Sequence, residues 1–272
     1  MAIQWSLVLF TVLTGIAGWM FAGVAFDSLR GKNQPKAFLA GLIALIVMAV
    51  GGIASVTHLS HPDRMLAALS HPTSGIFVEA VLVGLAGVCM IVFIILAKRG
   101  ASAGAQKVFA VLGAIFGIVL SFMAGSSYMM SSTSTWNTVL LPIGYLCTSI
   151  PGGLGAYLAV VGAGDRDSAR LLSIGTIVGG VLAAIASLAY VAVTGFPASA
   201  MAPLWAGCVL CGGVVPVVCG VMGMKTPERT ATFGVVTLVG GLVGSACFRV
   251  IMWQVFALAA VGAPYITNFA AM

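Results

Sequence analysis

The sequence predicts an all-α integral membrane protein: a bundle of eight transmembrane helices with its N- and C-termini on the non-cytoplasmic side. Three observations predict it. Hydrophobic residues make up 61% of the 272 positions and charged residues only 7%, which is too little charge for the surface of a soluble domain. The apolar residues form eight runs of roughly twenty residues, the length that crosses the hydrocarbon core. Basic residues gather in alternate loops, which indicates the orientation.

The eight runs are apolar throughout rather than alternating in polarity. A membrane β-barrel, the competing class, would show segments of about ten residues with alternating polarity, so helices are favoured. Only short loops join the runs, and we interpret residues 1–272 as a single membrane domain. We expect helices at 5–26, 38–57, 75–97, 108–130, 138–163, 171–194, 204–224 and 232–260.

The loops divide sharply by charge. Loops 27–37, 98–107, 164–170 and 225–231 contain ten lysines and arginines between them, whereas the other three contain only Arg64. Basic loops remain in the cytoplasm, so we expect a multi-pass membrane protein with both termini outside. No basic residue precedes the first run, which predicts a retained helix rather than a secretory signal. The net charge of +6 is therefore a signal of topology and does not indicate a nucleic-acid partner.

Two charged residues lie within predicted spans, where charge is costly and often functional. Glu79 lies about one turn into the third helix, counted from the outer face. Arg249 lies in the eighth helix, about 25 Å of helical rise from its cytoplasmic end, and hence also near the outer face. An ion pair of Glu79 with Arg249 or Arg64 that only stabilises the bundle is an equally weighted alternative.

The outer loop 58–74 contains every histidine of the chain: His58, His61 and His71, with Arg64 among them. Histidine titrates closest to physiological pH, so an acid, an arginine and histidines at one membrane face are suited to proton transfer or to binding a polar headgroup.

Haem and metal centres are not predicted. Membrane b-type cytochromes hold haem with axial ligands inside the bundle, and here only His58 touches the edge of a span. Cys208 and Cys211 form a C-x-x-C pair, but no second pair or nearby histidine completes a metal site. We interpret these cysteines as small hydrophobic residues of the helix core.

Four segments resemble the membrane anchor subunits of dimethyl sulfoxide reductase. His58-Leu59-Ser60-His61-Pro62-Asp63-Arg64 is similar to the family's H-L-G-x-P-x-R signature, and the stretch from Thr73 to Glu79 is similar to T-S-x-L-x-x-E. The opening Trp5–Leu13 and the Thr135-Trp136-Asn137-Thr138 element resemble their counterparts. The chain departs from the pattern at Ser60, His61 and Val78, where the family commonly has glycine, a small residue and arginine.

The resemblance implies a specific role. Such anchors hold an iron–sulfur subunit of the four-cluster ferredoxin-like type, with [4Fe–4S] clusters, and a molybdopterin catalytic subunit to the membrane. They oxidise menaquinol and pass its electrons to the nearest cluster, in anaerobic respiration at the bacterial cytoplasmic membrane. By position, His58 and Glu79 match the residues associated with quinol binding and oxidation, and Arg64 matches the signature's arginine. His61 and Arg249 complete the predicted quinol site. The chain would then be a quinol-oxidising subunit without the catalytic centre of the complex.

Three alternatives stay open. A polysulfide-reductase-type anchor shares eight spans, quinone binding and an iron–sulfur partner. A small-solute transporter is suggested by Pro142, Pro151 and Gly152-Gly153, which could make the fifth helix discontinuous. A structural scaffold without a quinol site is the third.

Overall fold

The computed structural model describes residues 3–57 and 70–269, with side chains as far as Phe256. Within these ranges there are no strands, and eight helices are long and apolar enough to cross a membrane. The predicted all-α eight-helix class is thereby confirmed. The helices are α1 (Trp5–Arg30), α2 (Gln34–Val56), α3 (Gly75–Lys98), α4 (Ala103–Ser126), α5 (Leu140–Val161), α6 (Arg166–Val193), α7 (Ala198–Lys225) and α8 (Thr230–Phe269). Within α7, the residues Pro203–Val214 are π-helical.

Helices α1 and α5 form the centre of the bundle. Helix α1 packs on α2, α4 and α5, and α5 packs most extensively on α8 and also on α6. Helix α3 lies at the periphery against α4 and α2, and large aliphatic side chains such as Val88 and Ile185 are exposed on the outer surface. This inversion of the soluble pattern is expected for helices that face lipid, since lipid tails are as apolar as leucine.

Close approach of helices depends on glycine at a few crossings. At the crossing of α1 and α4, a Cβ atom added to Gly18 would lie 2.6 Å from the backbone of Gly117, and one added to Gly117 would lie 2.6 Å from Gly18. No side chain fits there, so the two backbones are in direct contact, as in small-xxx-small helix pairs. The tight crossing holds α4 against α1, and both helices bound the cavity described below.

Helix α5 is continuous through Pro142, Pro151 and the Gly152-Gly153 pair, the residues that suggested a discontinuous helix. It runs from Leu140 to Val161 with Pro151 inside it, and the buried glycines beside the proline pack against α1 and α8. Proline removes one backbone hydrogen bond, which neighbouring helices tolerate in membrane proteins. The half-helix ends that a discontinuous transporter helix would present are therefore absent from α5.

The turns after α1 and α5 meet at the basic end of the bundle. Lys32 forms a 3.0 Å salt bridge with Asp165, and Lys36 donates a 2.6 Å hydrogen bond to the carbonyl of Val161. Asp165 is the N-cap of α6 and accepts from the backbone N–H of Ser168 at 2.9 Å. That N–H and the Lys32 ammonium hold the pKa of Asp165 below its ordinary value, because both favour the ionised carboxylate.

Asp27 lies in the last turn of α1, although the sequence predicted a helix ending at residue 26. It is fully buried, accepts a 2.5 Å hydrogen bond from the Tyr157 hydroxyl and accepts a 2.8 Å bond from the Asn33 amide. These partners from α5 and from the turn after α1 compensate part of the cost of burying a carboxylate. They explain why α1 extends to Arg30.

Candidate functional site

A cavity of about 490 Å³ opens at the end of the bundle opposite the basic turns. The beginnings of α1 and α3 and the ends of α2 and α4 enclose it, and its walls are mostly apolar, with Phe10, Ile76 and Val83 among them. A largely apolar cleft of this size with a few polar groups is typical of a small-molecule site. The polar lining residues are Ser55, Glu79, Ser127 and Tyr128.

Among the residues that the structure describes, Glu79 is the one carboxylate that lines this cavity. It lies just beyond the first turn of α3, a helix that begins at Gly75 because the Ser74 hydroxyl caps it, accepting a 3.2 Å hydrogen bond from Phe77 N–H. A Cβ added to Gly75 would lie 2.7 Å from Cβ of Ser127, so this glycine brings the start of α3 against the end of α4. Glu79 is half-buried, with Ser127 beside it.

Ser127 provides a hydroxyl with one proton and two nearby acceptors. In the observed rotamer it donates a 3.0 Å hydrogen bond to the carbonyl of Met123, while its oxygen lies beside the Glu79 carboxylate. A hydroxyl donates to one acceptor at a time. Rotation of this hydroxyl therefore changes which of the two, the carbonyl or the carboxylate, receives the proton.

Tyr128 connects the cavity to an aromatic cluster. Its ring lies 5.5 Å from Trp136, 5.9 Å from Tyr145 and 6.1 Å from Trp253, centroid to centroid, distances typical of edge-to-face and tilted aromatic pairs. The Trp136 indole donates a 2.9 Å hydrogen bond to the carbonyl of Met252. The cluster therefore fixes the segment between α4 and α5 against α8, and Tyr128 is the member of it that lines the cavity.

Arg249 is fully buried in α8 beside this aromatic cluster, and its guanidinium carbon lies 4.2 Å from the Tyr145 ring centroid. Every hydrogen-bond acceptor around the guanidinium is a hydroxyl or a backbone carbonyl, drawn from α1, α5 and α8. They are the hydroxyls of Thr11 at 3.3 Å, Thr148 at 2.7 Å, Ser149 at 3.3 Å and Ser245 at 2.7 Å, and the carbonyls of Thr11 at 3.4 Å, Tyr145 at 3.3 Å and Ser245 at 3.1 Å.

Within the described part of the chain, this arrangement leaves the guanidinium with hydrogen bonds but with no neutralising carboxylate. The only salt bridge between described residues is Lys32–Asp165, so the alternative pairing of Glu79 with Arg249 is not formed. Neutral acceptors and the Tyr145 ring face stabilise the charge by hydrogen bonding and cation–π attraction. A positive charge therefore persists close to the inner wall of the cavity.

The structure brings together only part of the predicted site. Glu79 lines the cavity, and Arg249 does not: it reaches the cavity only through Tyr145 and Tyr128. His58, His61 and Arg64 lie outside the described residues.

Sequence reasoning did not single out Ser127 and Tyr128, because an uncharged residue at a helix end has no distinguishing signal. It also passed over Asp27. The position of this acidic residue, directly after the first apolar run, was a signal that could have identified it. Among the described residues, no group of three or more histidines, cysteines and carboxylates is placed to hold a metal ion.

Comparisons with known proteins all point to the same kind of protein, a subunit of dimethyl sulfoxide reductase. A family model described as DMSO reductase anchor subunit (DmsC) matches residues 1–267. The sequence is 28% identical over 156 residues to the C subunit of the anaerobic dimethyl sulfoxide reductase of Haemophilus influenzae, covering 54% of this protein and 55% of that one. It is 23% identical over 194 residues to the Escherichia coli subunit of the same name, covering 68% of each. The protein thus spans about half the length of the first relative and about two thirds of the second.

Proposed function

The chain belongs to the DMSO reductase anchor subunit family, and on that premise we propose that it binds menaquinol in the Glu79 cavity and oxidises it. Two electrons pass to a partner iron–sulfur subunit and on to a molybdopterin subunit, both of which the chain anchors to the membrane. The observation that carries the proposal is the apolar cavity with one carboxylate, enclosed by the ends of four helices. An isoprenoid quinol requires this combination of apolar walls and a few polar groups.

Oxidation of one quinol releases two protons and two electrons. The electrons need no redox group in this chain, because the accepting cluster belongs to the partner. The protons need acceptors within hydrogen-bonding distance of the quinol hydroxyls. Glu79 is positioned to accept one of them, since it is half-buried, lines the cavity and has the Ser127 hydroxyl beside it.

His58 is the proposed second acceptor. It is the second residue after Val56, the last residue of α2, whose final turn contributes Ser55 to the cavity. An imidazole exchanges protons near neutral pH, which suits it to a working base. His61 and Arg64 follow within the same segment and are proposed to bind the headgroup.

Arg249 is proposed as a positioning residue. Negative charge develops on a quinol oxygen as its proton leaves, and a fixed positive charge nearby lowers the energy of that state. The guanidinium acts through Tyr145 and Tyr128 rather than by contact, because it does not line the cavity. Its hydrogen bonds also link α1, α5 and α8.

The proposed orientation places the cavity on the non-cytoplasmic side, where both termini would also lie. Its support is the concentration of lysines and arginines at the opposite end of the bundle, since basic turns remain in the cytoplasm. Protons released at Glu79 would then leave on the outer side.

Glu79→Gln and His58→Ala in the assembled complex test the site. We expect each to reduce turnover with a menaquinol analogue by at least about a hundredfold, the lower end of the effect of a general base, while turnover with a viologen that donates directly to the partner subunits stays unchanged. Glu228→Gln, which alters a carboxylate at the other end of the chain's helices, is the matched control. Normal quinol turnover in both site variants would refute the assignment, and loss of viologen turnover would indicate failed assembly instead.

A further inference from the structure

A second cavity, of about 760 Å³, lies at the basic end of the same four helices. The end of α1, the start of α2, the end of α3 and the start of α4 surround it. Its polar lining includes Ser28, Gln34, Lys98 and Lys107, and Phe38 and Ala97 provide apolar wall. The cavity thus places two ammonium groups beside apolar surface at the level where α3 ends and α4 begins.

The two lysines of this cavity differ from the other lysines nearby. Lys32 is paired with Asp165, and Lys36 donates to the Val161 carbonyl. Within the described part of the chain, neither Lys98 nor Lys107 has a salt-bridge or hydrogen-bond partner. Two ammonium groups facing one cavity without a carboxylate produce a positive potential that attracts an anion.

Two helix N-termini also point into the cavity. Gln34 and Pro35 open α2, whose N-cap residue Asn33 makes no side-chain cap, because its amide donates to Asp27 instead. Ala103 opens α4 at the opposite wall, where the Ser102 hydroxyl accepts from Ala105 N–H at 3.4 Å and leaves the N–H groups of Ala103 and Gly104 without a capping side chain. The first backbone N–H groups of a helix have no partner within the helix, and with the helix dipole they favour a phosphate or another anion.

Ser28 provides an independent indication of a ligand. It lines the cavity and is only 3% exposed, yet its hydroxyl has no hydrogen-bond partner among the described residues. An unpaired buried hydroxyl costs free energy, and a ligand oxygen in the cavity would satisfy it.

We propose that this cavity binds the phosphate of an anionic phospholipid. The phosphate would contact Lys98, Lys107 and the N-termini of α2 and α4, with Ser28 donating to one of its oxygens. The acyl chains would follow the exposed apolar surface beside the cavity, where Leu39 of α2 is 47% exposed and Ile95 of α3 is 44% exposed. Basic pockets between membrane helices bind anionic headgroups in this way. The site is independent of the Glu79 cavity, from which it is separated by the length of the four helices.

Native mass spectrometry of the purified full-length chain tests the proposal. After delipidation, the protein is titrated with phosphatidylglycerol, with phosphatidylcholine and with inorganic phosphate. We expect one phosphatidylglycerol to bind and phosphatidylcholine to bind more weakly. Lys98→Gln/Lys107→Gln should weaken phosphatidylglycerol binding roughly 30-fold, taking about 1 kcal/mol for each lysine near an anionic headgroup and 1.4 kcal/mol for each factor of ten.

Two further variants keep the test decisive if the double variant fails to fold. Ser28→Ala removes only the unpaired hydroxyl and should weaken binding severalfold. Ala103→Trp fills the cavity from an exposed position without altering charge and should abolish binding. Lys225→Gln, a basic residue at the same end of the bundle that does not line the cavity, should bind as the parent does. Equal binding of the two lipids, undiminished binding in Ala103→Trp, or displacement of the lipid by millimolar inorganic phosphate would overturn the proposal.

Discussion

Replacement of Arg249 by methionine separates the two roles that the guanidinium can have, one in the bundle and one in turnover. Methionine fills a similar volume without charge. The hydroxyls around Arg249 lose a donor, but Thr11, Thr148 and Ser149 already donate to carbonyls of their own helices, at 3.0, 2.7 and 2.9 Å. These three oxygens become under-satisfied acceptors, which are more easily tolerated than orphaned donors. The buried Ser245 hydroxyl, which donates to no described acceptor, is the one group left without a partner.

The effect on stability should therefore be small for so buried a residue. Hydrogen bonds to a charged group contribute about 1.5–3 kcal/mol each, but the desolvation penalty of the buried ion, several kcal/mol, disappears with the charge. We expect the free energy of unfolding of Arg249→Met, measured by detergent titration, to lie within about 2 kcal/mol of the parent, as for other buried charges replaced by apolar side chains of similar size. Arg249→Ala should be worse, by about 2–5 kcal/mol, because it leaves a cavity.

The effect on turnover follows from distance. The two ring contacts place the Arg249 guanidinium no more than about 10 Å from the Tyr128 ring at the cavity wall. At an effective dielectric of about 20, a unit charge at that distance changes the energy of a developing charge by about 1.7 kcal/mol, which corresponds to roughly fifteen- to twentyfold in rate. Arg249→Met should thus fold and lose quinol turnover by about that factor, and Arg249→Lys should retain most of it.

The assay is quinol-dependent turnover of the assembled complex, with direct viologen turnover as the control for assembly. A folded Arg249→Met complex with unchanged quinol turnover would refute the electrostatic role. An unfolded Arg249→Met chain would refute the reasoning on unpaired acceptors.

Three further predictions concern stability. Tyr157→Phe should lower the free energy of unfolding by about 1–3 kcal/mol, because it removes a hydrogen bond to the buried Asp27 carboxylate; detergent titration measures it, and no change would mean that the carboxylate has another donor. Gly117→Val should separate α1 from α4 at Gly18 and cost at least about 1–3 kcal/mol, whereas an unaffected melting temperature would contradict the direct backbone contact. Asp165→Asn should reduce thermal stability at pH 7 and progressively less as the pH falls below the ordinary carboxyl value of 3.8. A carboxyl whose folded-state pKa is lowered stabilises the fold above its unfolded pKa and loses that stabilisation as pH falls through the folded value; a pH-independent difference would contradict the ion-pair role.

The helices were predictable from the sequence because the information that specifies them is local. A run of apolar residues of sufficient length must form a helix in a bilayer, where each backbone group needs a partner within its own segment. The exact ends were less predictable. Helix α1 extends past residue 26 because Tyr157, 130 positions away, donates to Asp27, and no local pattern carries that information.

The candidate site also contains residues that the sequence identifies and residues that only the structure reveals. Glu79 was identifiable because a carboxylate inside an apolar run is rare and costly. Arg249 was identifiable for the same reason, but its partners were not, since hydroxyls of α1 and α5 are spread over more than a hundred positions of sequence. Glu79, at a similar depth in the membrane, is a natural partner for Arg249 by charge alone, but the structure surrounds Arg249 with neutral acceptors instead. Tyr128 becomes recognisable only once Tyr145 and Trp136 are placed around it.

The interior of the bundle bears on how turnover responds to a membrane potential. Between the Glu79 cavity and the basic end, the buried charged residues described are Arg249 and Asp27. Arg249 is the nearer to the cavity, and a fixed positive charge repels a migrating proton. On the proposed orientation, protons and electrons therefore both leave on the outer side, and no charge crosses the bilayer during oxidation. Moving one charge across costs about 2.3 kcal/mol per 100 mV, so a mechanism that moved charge would respond strongly to an imposed potential. We expect quinol turnover of the complex in sealed vesicles to be the same with and without a potassium diffusion potential; a dependence on its sign would place the proton exit at the basic end.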